Sequence, residues 1–291
     1  MMDKRAIFQV IVLLNVAEIA VTSRDLLPSR AYCGYQHIDD YTRDSDDVTI
    51  DEFPWMAQIV YDTGTMRVQC SGSLINNRYV LTAAHCLSSQ YAKVVGVQLG
   101  DFNATSTVDC IYHTVFGEEC SDPVQTFEIE EEILHPKYNP IISELHDIGL
   151  IRLSRTVEYS EYIRAICLPA TNASQLNVGD QLAISGWGLL GNEEKQTQVK
   201  KKIKATLVPT RTCQETYTKF GRRFLTDDHL CALDQGKRTC RGDSGAPLML
   251  AVRKQWEQVG VLSFGKCEDG FPSGYIKVTS YLEWIIENLR L

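Results

Sequence analysis

Ten cysteines, at positions 33, 70, 86, 110, 120, 167, 213, 231, 240 and 267, constrain this 291-residue chain more than any other feature. Their number is even and no two are spaced C-x-x-C, so neither a zinc ribbon nor a thioredoxin-type redox pair can be drawn from them. Disulfides remain, and with them an oxidising compartment. The first residues agree. Lys4 and Arg5 precede an apolar stretch from Ala6 to Val16, and small residues follow near Val21 and Ser23. That pattern reads as a secretory signal over 1–23, the alternative being a buried helix. The stretch falls well short of the ~20 apolar residues that cross a bilayer, so no membrane association is expected. In a secreted chain Asn103-Ala104-Thr105 and Asn172-Ala173-Ser174 are glycosylation sequons.

A hydrophobic content of 44% is enough for a real core. With 29 Lys plus Arg against 37 Asp plus Glu, the net charge of −8 offers no general attraction to phosphates, and nucleic acid is not an expected partner. Residues 24–50 are polar, acidic around Asp39 to Asp47, and contain one cysteine, Cys33. They read as a propeptide or linker ahead of a folded region over 51–291. From Phe53 onward short runs alternate apolar with polar or are wholly apolar: 56–61, 73–75, 79–82, 94–99, 148–153, 181–185, 203–208 and 259–264. Many short strands separated by turn residues predict an all-β sandwich or barrel, and the length predicts two of them. Only Ser280 to Leu289, with Tyr281, Trp284, Ile285 and Leu289 at helical spacing, reads as a helix.

Three segments carry chemistry. Leu81-Thr82-Ala83-Ala84-His85-Cys86 ends a strand on a histidine, His146-Asp147-Ile148-Gly149-Leu150-Ile151 starts a buried strand with a carboxylate, and Gly242-Asp243-Ser244-Gly245-Ala246-Pro247 sets a serine in a glycine turn. Together they supply a base, an orienting acid and a nucleophile. An α/β-hydrolase would place its histidine after the serine. Here the last histidine is His229, so that family is excluded. The other five histidines read as surface or structural residues.

From about Ile50 onward the chain resembles a chymotrypsin-family serine protease. The motifs that carry the resemblance, in order, are Thr82-Ala83-Ala84-His85-Cys86, Asp147-Ile148 with Leu150, Gly186-Trp187-Gly188, Gly242-Asp243-Ser244-Gly245 and Ser263-Phe264-Gly265. Asp51-Glu52-Phe53-Pro54-Trp55-Met56-Ala57 and Ala165-Ile166-Cys167-Leu168-Pro169 further resemble the catalytic domains of arthropod clip-domain proteases. A clip module itself would need six cysteines upstream, and only Cys33 is there. The resemblance implies two antiparallel β-barrels with a C-terminal α-helix and a catalytic triad of His85, Asp147 and Ser244. The N–H groups of Gly242 and Ser244 would form the oxyanion hole. It implies the disulfides Cys33–Cys167, Cys70–Cys86, Cys110–Cys120, Cys213–Cys231 and Cys240–Cys267, although sequence alone permits many connectivities. It also implies a protein substrate, an upstream activating protease, a serpin-type inhibitor and no cofactor, in an extracellular immune-type cascade.

Two departures from the family matter. Active members begin at a new N-terminus, Ile or Val followed by a variable residue and two glycines, whose ammonium pairs with the aspartate before the nucleophile. Counting back from Asp51 puts Thr42-Arg43-Asp44-Ser45 at that place. Without a cation for Asp243 the oxyanion hole would stay collapsed, and the competing expectation is a latent or non-catalytic homologue that binds cascade partners. The specificity pocket, formed by Arg238, Ser263, Gly265 and Ser273, has Arg238 where trypsin-like members have Asp. Arg238 would repel Lys and Arg side chains and attract acidic ones, or pair with Glu268 or Asp269 and leave a plain pocket.

Weaker signals are read as structural. Gly186-Trp187-Gly188-Leu189-Leu190-Gly191 fits G-x-G-x-x-G but is not followed by a helix pattern, so it is a loop. Lys195, Lys200, Lys201, Lys202 and Lys204 read as a solvated basic face. Asp101 stands near a calcium loop of some family members, but no second ligand is identifiable and no metal site is assigned.

Overall fold

The computed structural model describes residues 22–37, 48–62, 70–88, 92–113, 117–142, 145–170, 176–189, 197–221, 225–235, 239–268 and 270–291. The short apolar runs become antiparallel strands in two groups. The first comprises β1 (Met56–Tyr61), β2 (Cys70–Leu74), β3 (Tyr79–Thr82) and, after the one-turn helix α1 (Ala84–Leu87), β4 (Val94–Leu99). A two-stranded ribbon follows, β5 (Cys110–His113) with β6 (Gly117–Cys120), and then β7 (Gln125–Phe127), β8 (Ile129–Leu134) and β9 (Gly149–Leu153). Apart from the ribbon these strands form one sheet in the order β7-β4-β1-β2-β3-β9-β8, with Glu128 alone linking its two edge strands. The sheet thus curls into a nearly closed barrel. β9 is buried along its whole length, because both of its faces are covered, and the near-continuous apolar run in its sequence reflects that.

The second group closes completely. β10 (Gln181–Gly186), β11 (Lys201–Val208), β12 (His229–Gln235), β13 (Pro247–Ala251), β14 (Trp256–Phe264) and β15 (Ser273–Lys277) run in the order β10-β11-β12-β15-β14-β13, and β13 returns to β10 through Ala183↔Met249 and Ile184↔Leu248. Closure removes the sheet edges. Ile184, Ile203, Ala205, Leu248 and Tyr275 fill the interior. The all-β, two-barrel expectation is met, as is the C-terminal helix, α3 (Val278–Glu287), whose Tyr281, Leu282, Ile285 and Ile286 are buried. The sequence reading missed α2 (Thr210–Thr218). Its four threonines are poor helix formers, and only Cys213 and Tyr217, one turn apart, are buried.

Disulfides join Cys33 to Cys167, Cys70 to Cys86, Cys110 to Cys120, Cys213 to Cys231 and Cys240 to Cys267. The first ties the segment 22–37 to the back of the molecule. There Gly34, at φ 68°, donates its N–H to Ala165 and accepts from Trp256, and a Cβ would lie 2.2 Å from the Trp256 oxygen, so only glycine fits.

The basic stretch corrects the sequence reading. Among the described residues of that cluster, Lys200, Lys201 and Lys202 are buried. Lys202 pairs with the buried Glu52 at 2.9 Å, and Lys201 with the buried Asp243 at 2.8 Å. Lys200 faces Glu52 first, then Asp101, Asp51 and Asp109 electrostatically, and burial pushes its ammonium down to about 8 and the Asp101 carboxyl up to about 7. Lys200 and Lys202 therefore reach across to residues ahead of and within the first barrel, whereas Lys201, on the opposite face of β11, turns to Asp243 on its own side. Lys195 lies outside the described residues.

Candidate functional site

The seam places the two chemical halves face to face. β3 ends at Thr82, and α1 begins two residues later, which puts His85 in its first turn. The His85 N–H donates to Asp147 Oδ1 at 2.8 Å, while its Nδ1 lies 2.8 Å from Asp147 Oδ2. Backbone and ring are thus held by one carboxylate. Asp147 is fully buried, and its Oδ2 also accepts from Ser263 Oγ at 2.5 Å. Ser263, assigned from the sequence to the pocket, therefore also touches the acid. Two supports fix α1: the Cys70–Cys86 disulfide, and the Tyr61 hydroxyl, which donates to the Cys86 carbonyl at 2.8 Å. Gly149 permits the close approach, since a Cβ there would meet Leu87 at 2.7 Å and Ala84 Cα at 3.6 Å.

His146, just before the acid, sits at φ 54°. It is stacked on His135 with ring centroids 4.9 Å apart, and its Nδ1 lies 2.9 Å from the Tyr281 hydroxyl on α3. Burial pushes both imidazoles down, His135 to about 4, and the pair anchors the acid's loop. Of the remaining histidines, His37 is exposed and His229 is buried.

Ser244 sits between Gly242 (φ 98°) and Gly245 (φ 78°). The turn docks on the strands that lead to His85. Ser71 N–H donates to the Ser244 carbonyl at 2.7 Å, and Ser71 Oγ donates to the Gly242 carbonyl at 3.1 Å. A Cβ at 245 would lie 2.2 Å from Thr82 Oγ1, 2.4 Å from Ser71 O and 3.1 Å from Ala83 N, so the serine turn lies two residues from the histidine. Among the described residues no acceptor takes the N–H of Gly242 or Ser244.

Gly186-Trp187-Gly188 has a physical reason that sequence spacing does not reveal. A Cβ at either glycine would fall 2.4 Å from the Asp243 carboxylate, so both vacate room for it. Asp243 Oδ1 accepts Gly188 N–H at 2.8 Å, and Oδ2 accepts Cys240 N–H at 3.0 Å and the ammonium of Lys201 at 2.8 Å. That ammonium also donates to the carbonyls of Gly188 and Leu189, each at 3.0 Å. Lys201 is the residue the sequence reading missed. Period-two alternation along β11 puts it on the face of Ile203, Ala205 and Leu207, which was the available signal.

Where the specificity pocket is expected, Thr239 Oγ1 and Ser273 Oγ are 2.6 Å apart, and both Thr239 donors reach Asp234 Oδ2, at 2.7 and 2.8 Å. Burial pushes the Asp234 carboxyl up to about 6. A Cβ at Gly265 would come within 2.9 Å of Ser273 Oγ, so those two walls nearly touch. Arg238, Asp269, Asn172 and the segment Thr42-Arg43-Asp44-Ser45 lie outside the described residues. Glu268 pairs with Lys266 at 2.8 Å. Asn103 is half-buried, and its Oδ1 accepts from Thr105 Oγ1 at 2.8 Å.

Comparison with known proteins gives consistent findings. The family model described as Trypsin matches residues 43–285. Serine protease 7 of Drosophila melanogaster is 38% identical over 280 residues, covering 91% of this chain and 69% of that protein. Phenoloxidase-activating factor 1 of Holotrichia diomphalia is 38% identical over 276 residues, covering 91% and 74%. The crystal structure of the Drosophila Grass clip serine protease of the Toll pathway superimposes with a TM-score of 0.76 at 29% identity, covering 90% of this chain and 76% of that one.

Proposed function

Because the chain belongs to the trypsin family and is related to insect clip-domain serine proteases, we propose that it is a secreted serine endopeptidase acting through His85, Asp147 and Ser244. The observation that carries this reading is the two-point hold of Asp147 on His85 beside a serine turn docked on the same strands. The mechanism is the one established for the family. With Nδ1 keeping its proton and donating it as a hydrogen bond to Asp147, Nε2 is left with a lone pair and takes the Ser244 hydroxyl proton as Oγ attacks the peptide carbonyl. The buried carboxylate stabilises the imidazolium that forms. The Gly242 and Ser244 N–H groups receive the oxyanion, Nε2 returns its proton to the leaving amine, and water repeats the cycle on the acyl-enzyme.

The near contact of Gly265 with Ser273, together with Arg238 at the expected pocket floor, supports a specificity other than for Lys or Arg at the cleaved residue. A peptide library with a strong basic preference would refute this. Relatives bearing names such as Phenoloxidase-activating factor support a protein substrate in an extracellular immune-type cascade, with an upstream activating protease and a serpin-type inhibitor as partners. Asn103 and Asn172 are the proposed glycan acceptors.

One observation favours a second reading, a latent or non-catalytic homologue that binds cascade partners: Thr42-Arg43-Asp44-Ser45 stands where an activating N-terminus is expected. Fluorophosphonate labelling of the secreted chain, before and after limited proteolysis and with Ser244→Ala as control, separates the two. Serine-dependent labelling establishes the protease. Its absence in every form refutes the protease and favours the binding homologue.

A further inference from the structure

Asp243 immediately precedes the candidate nucleophile and is wholly removed from solvent, as is nearly all of Lys201. A carboxylate so buried is tolerable only with a cation and a full set of donors. Here it has both. Its two oxygens take the N–H groups of Gly188 and Cys240 and the ammonium of Lys201. An ammonium has three protons to give, and Lys201 places them on Asp243 Oδ2 and on the carbonyls of Gly188 and Leu189. The pair is therefore saturated on the cation's side.

The consequence lies in the turn. The Asp243 N–H bonds to the Cys240 carbonyl, the Ala246 N–H to the Asp243 carbonyl, and the Leu189 N–H to the Arg241 carbonyl. Pulling the Asp243 side chain inward thus sets the backbone of 240–246. In that conformation the N–H groups of Gly242 and Ser244 have no acceptor among the described residues. We propose that Lys201 is a positioning residue that holds the oxyanion donors in place from within the chain, so that the site is competent without cleavage of the backbone. This rests on the proteolytic reading above and adds its regulation: the cation arrives by folding of β11 and not by exposure of a new terminus.

The test uses the full secreted chain, with its intact mass verified. The uncleaved wild type is expected to react with a fluorophosphonate, and nicking is expected to change the rate by less than about threefold. Lys201→Met is expected to lower that rate on the order of 10²-fold, the scale of losing an oxyanion donor, with kcat for a small ester falling and KM nearly unchanged. Lys201→Arg is expected to recover most of it. Lys201→Met with Asp243→Asn removes both charges, so a folded protein can be assayed even where the single variant fails to fold, and it too is expected to react slowly. Wild-type reactivity in folded Lys201→Met, or in the double variant, overturns the inference and leaves the protease reading standing. So does a wild type that reacts only after nicking. No serine-dependent reaction in any form overturns both.

Discussion

The two sides of the cleft are built by different physics. On the histidine side a strand end, a one-turn helix and a buried carboxylate are locked by short hydrogen bonds, a disulfide and the vacancy at Gly149. On the serine side a glycine turn with two residues at positive φ is held by hydrogen bonds to Ser71 and by the Cys240–Cys267 disulfide, and carries a buried ion pair at Asp243. Both sides are hydrogen-bonded and disulfide-linked, and what the second adds is a buried Lys–Asp ion pair, on which the inference above rests. On that inference the second should fail where the pair is disturbed, whereas the first should tolerate the loss of a single support.

The largest expected effect is on the histidine side at the one group without redundancy. Asp147→Asn should lower kcat by about 10⁴-fold, the loss established for this exchange in the family, with little change in Tm, because the amide presents the wrong partner to Nδ1. On the serine side Gly188→Ala drives a methyl group into the Asp243 carboxylate. We expect a loss of about 10²-fold or more in fluorophosphonate reactivity and a lower midpoint in denaturant titration. An active Gly188→Ala would show that the ion pair does not govern the turn.

Ser263→Ala tests redundancy. It removes one of three donors to Asp147, and kcat/KM should fall only about tenfold. A loss as large as that of Asp147→Asn would break the contrast between the two sides.

The smallest effect on activity is expected at the seam, where pH should act on stability. The folded Asp101 carboxyl is raised from 3.8 to about 7, by burial first and by Asp109 second. Between these values the folded chain binds more protons than the unfolded one, so this group's favourable contribution, full below about pH 4, is lost as pH rises to 7. Asp101→Asn should remove that slope, which amounts to a few kcal/mol on the order of the shift itself. Thermal unfolding of both proteins from pH 4.5 to 7.5 measures it, and parallel curves would refute it.

Much of this was legible without coordinates. Strand limits at 56–61, 79–82 and 94–99 follow from local alternation alone and are the observed ones. Local pattern was a poorer guide to α2, whose threonine-rich sequence helps little and whose formation relies on tertiary contacts through Cys213 and Tyr217. It also misled at Lys200 to Lys202, where a run of like charge resembles a solvated face.

The cysteine number, the order of histidine, aspartate and serine, and the alternating runs determined an oxidised all-β protein with one chemical theme. These are properties of a residue and its near neighbours, and they survive in a linear string. Tertiary structure alone decided where the charges go. Whether a lysine on a strand meets water or a carboxylate depends on what covers that strand's face. For Lys201 the answer lies on the serine turn at Asp243, forty-two positions along the chain, where no local periodicity reaches.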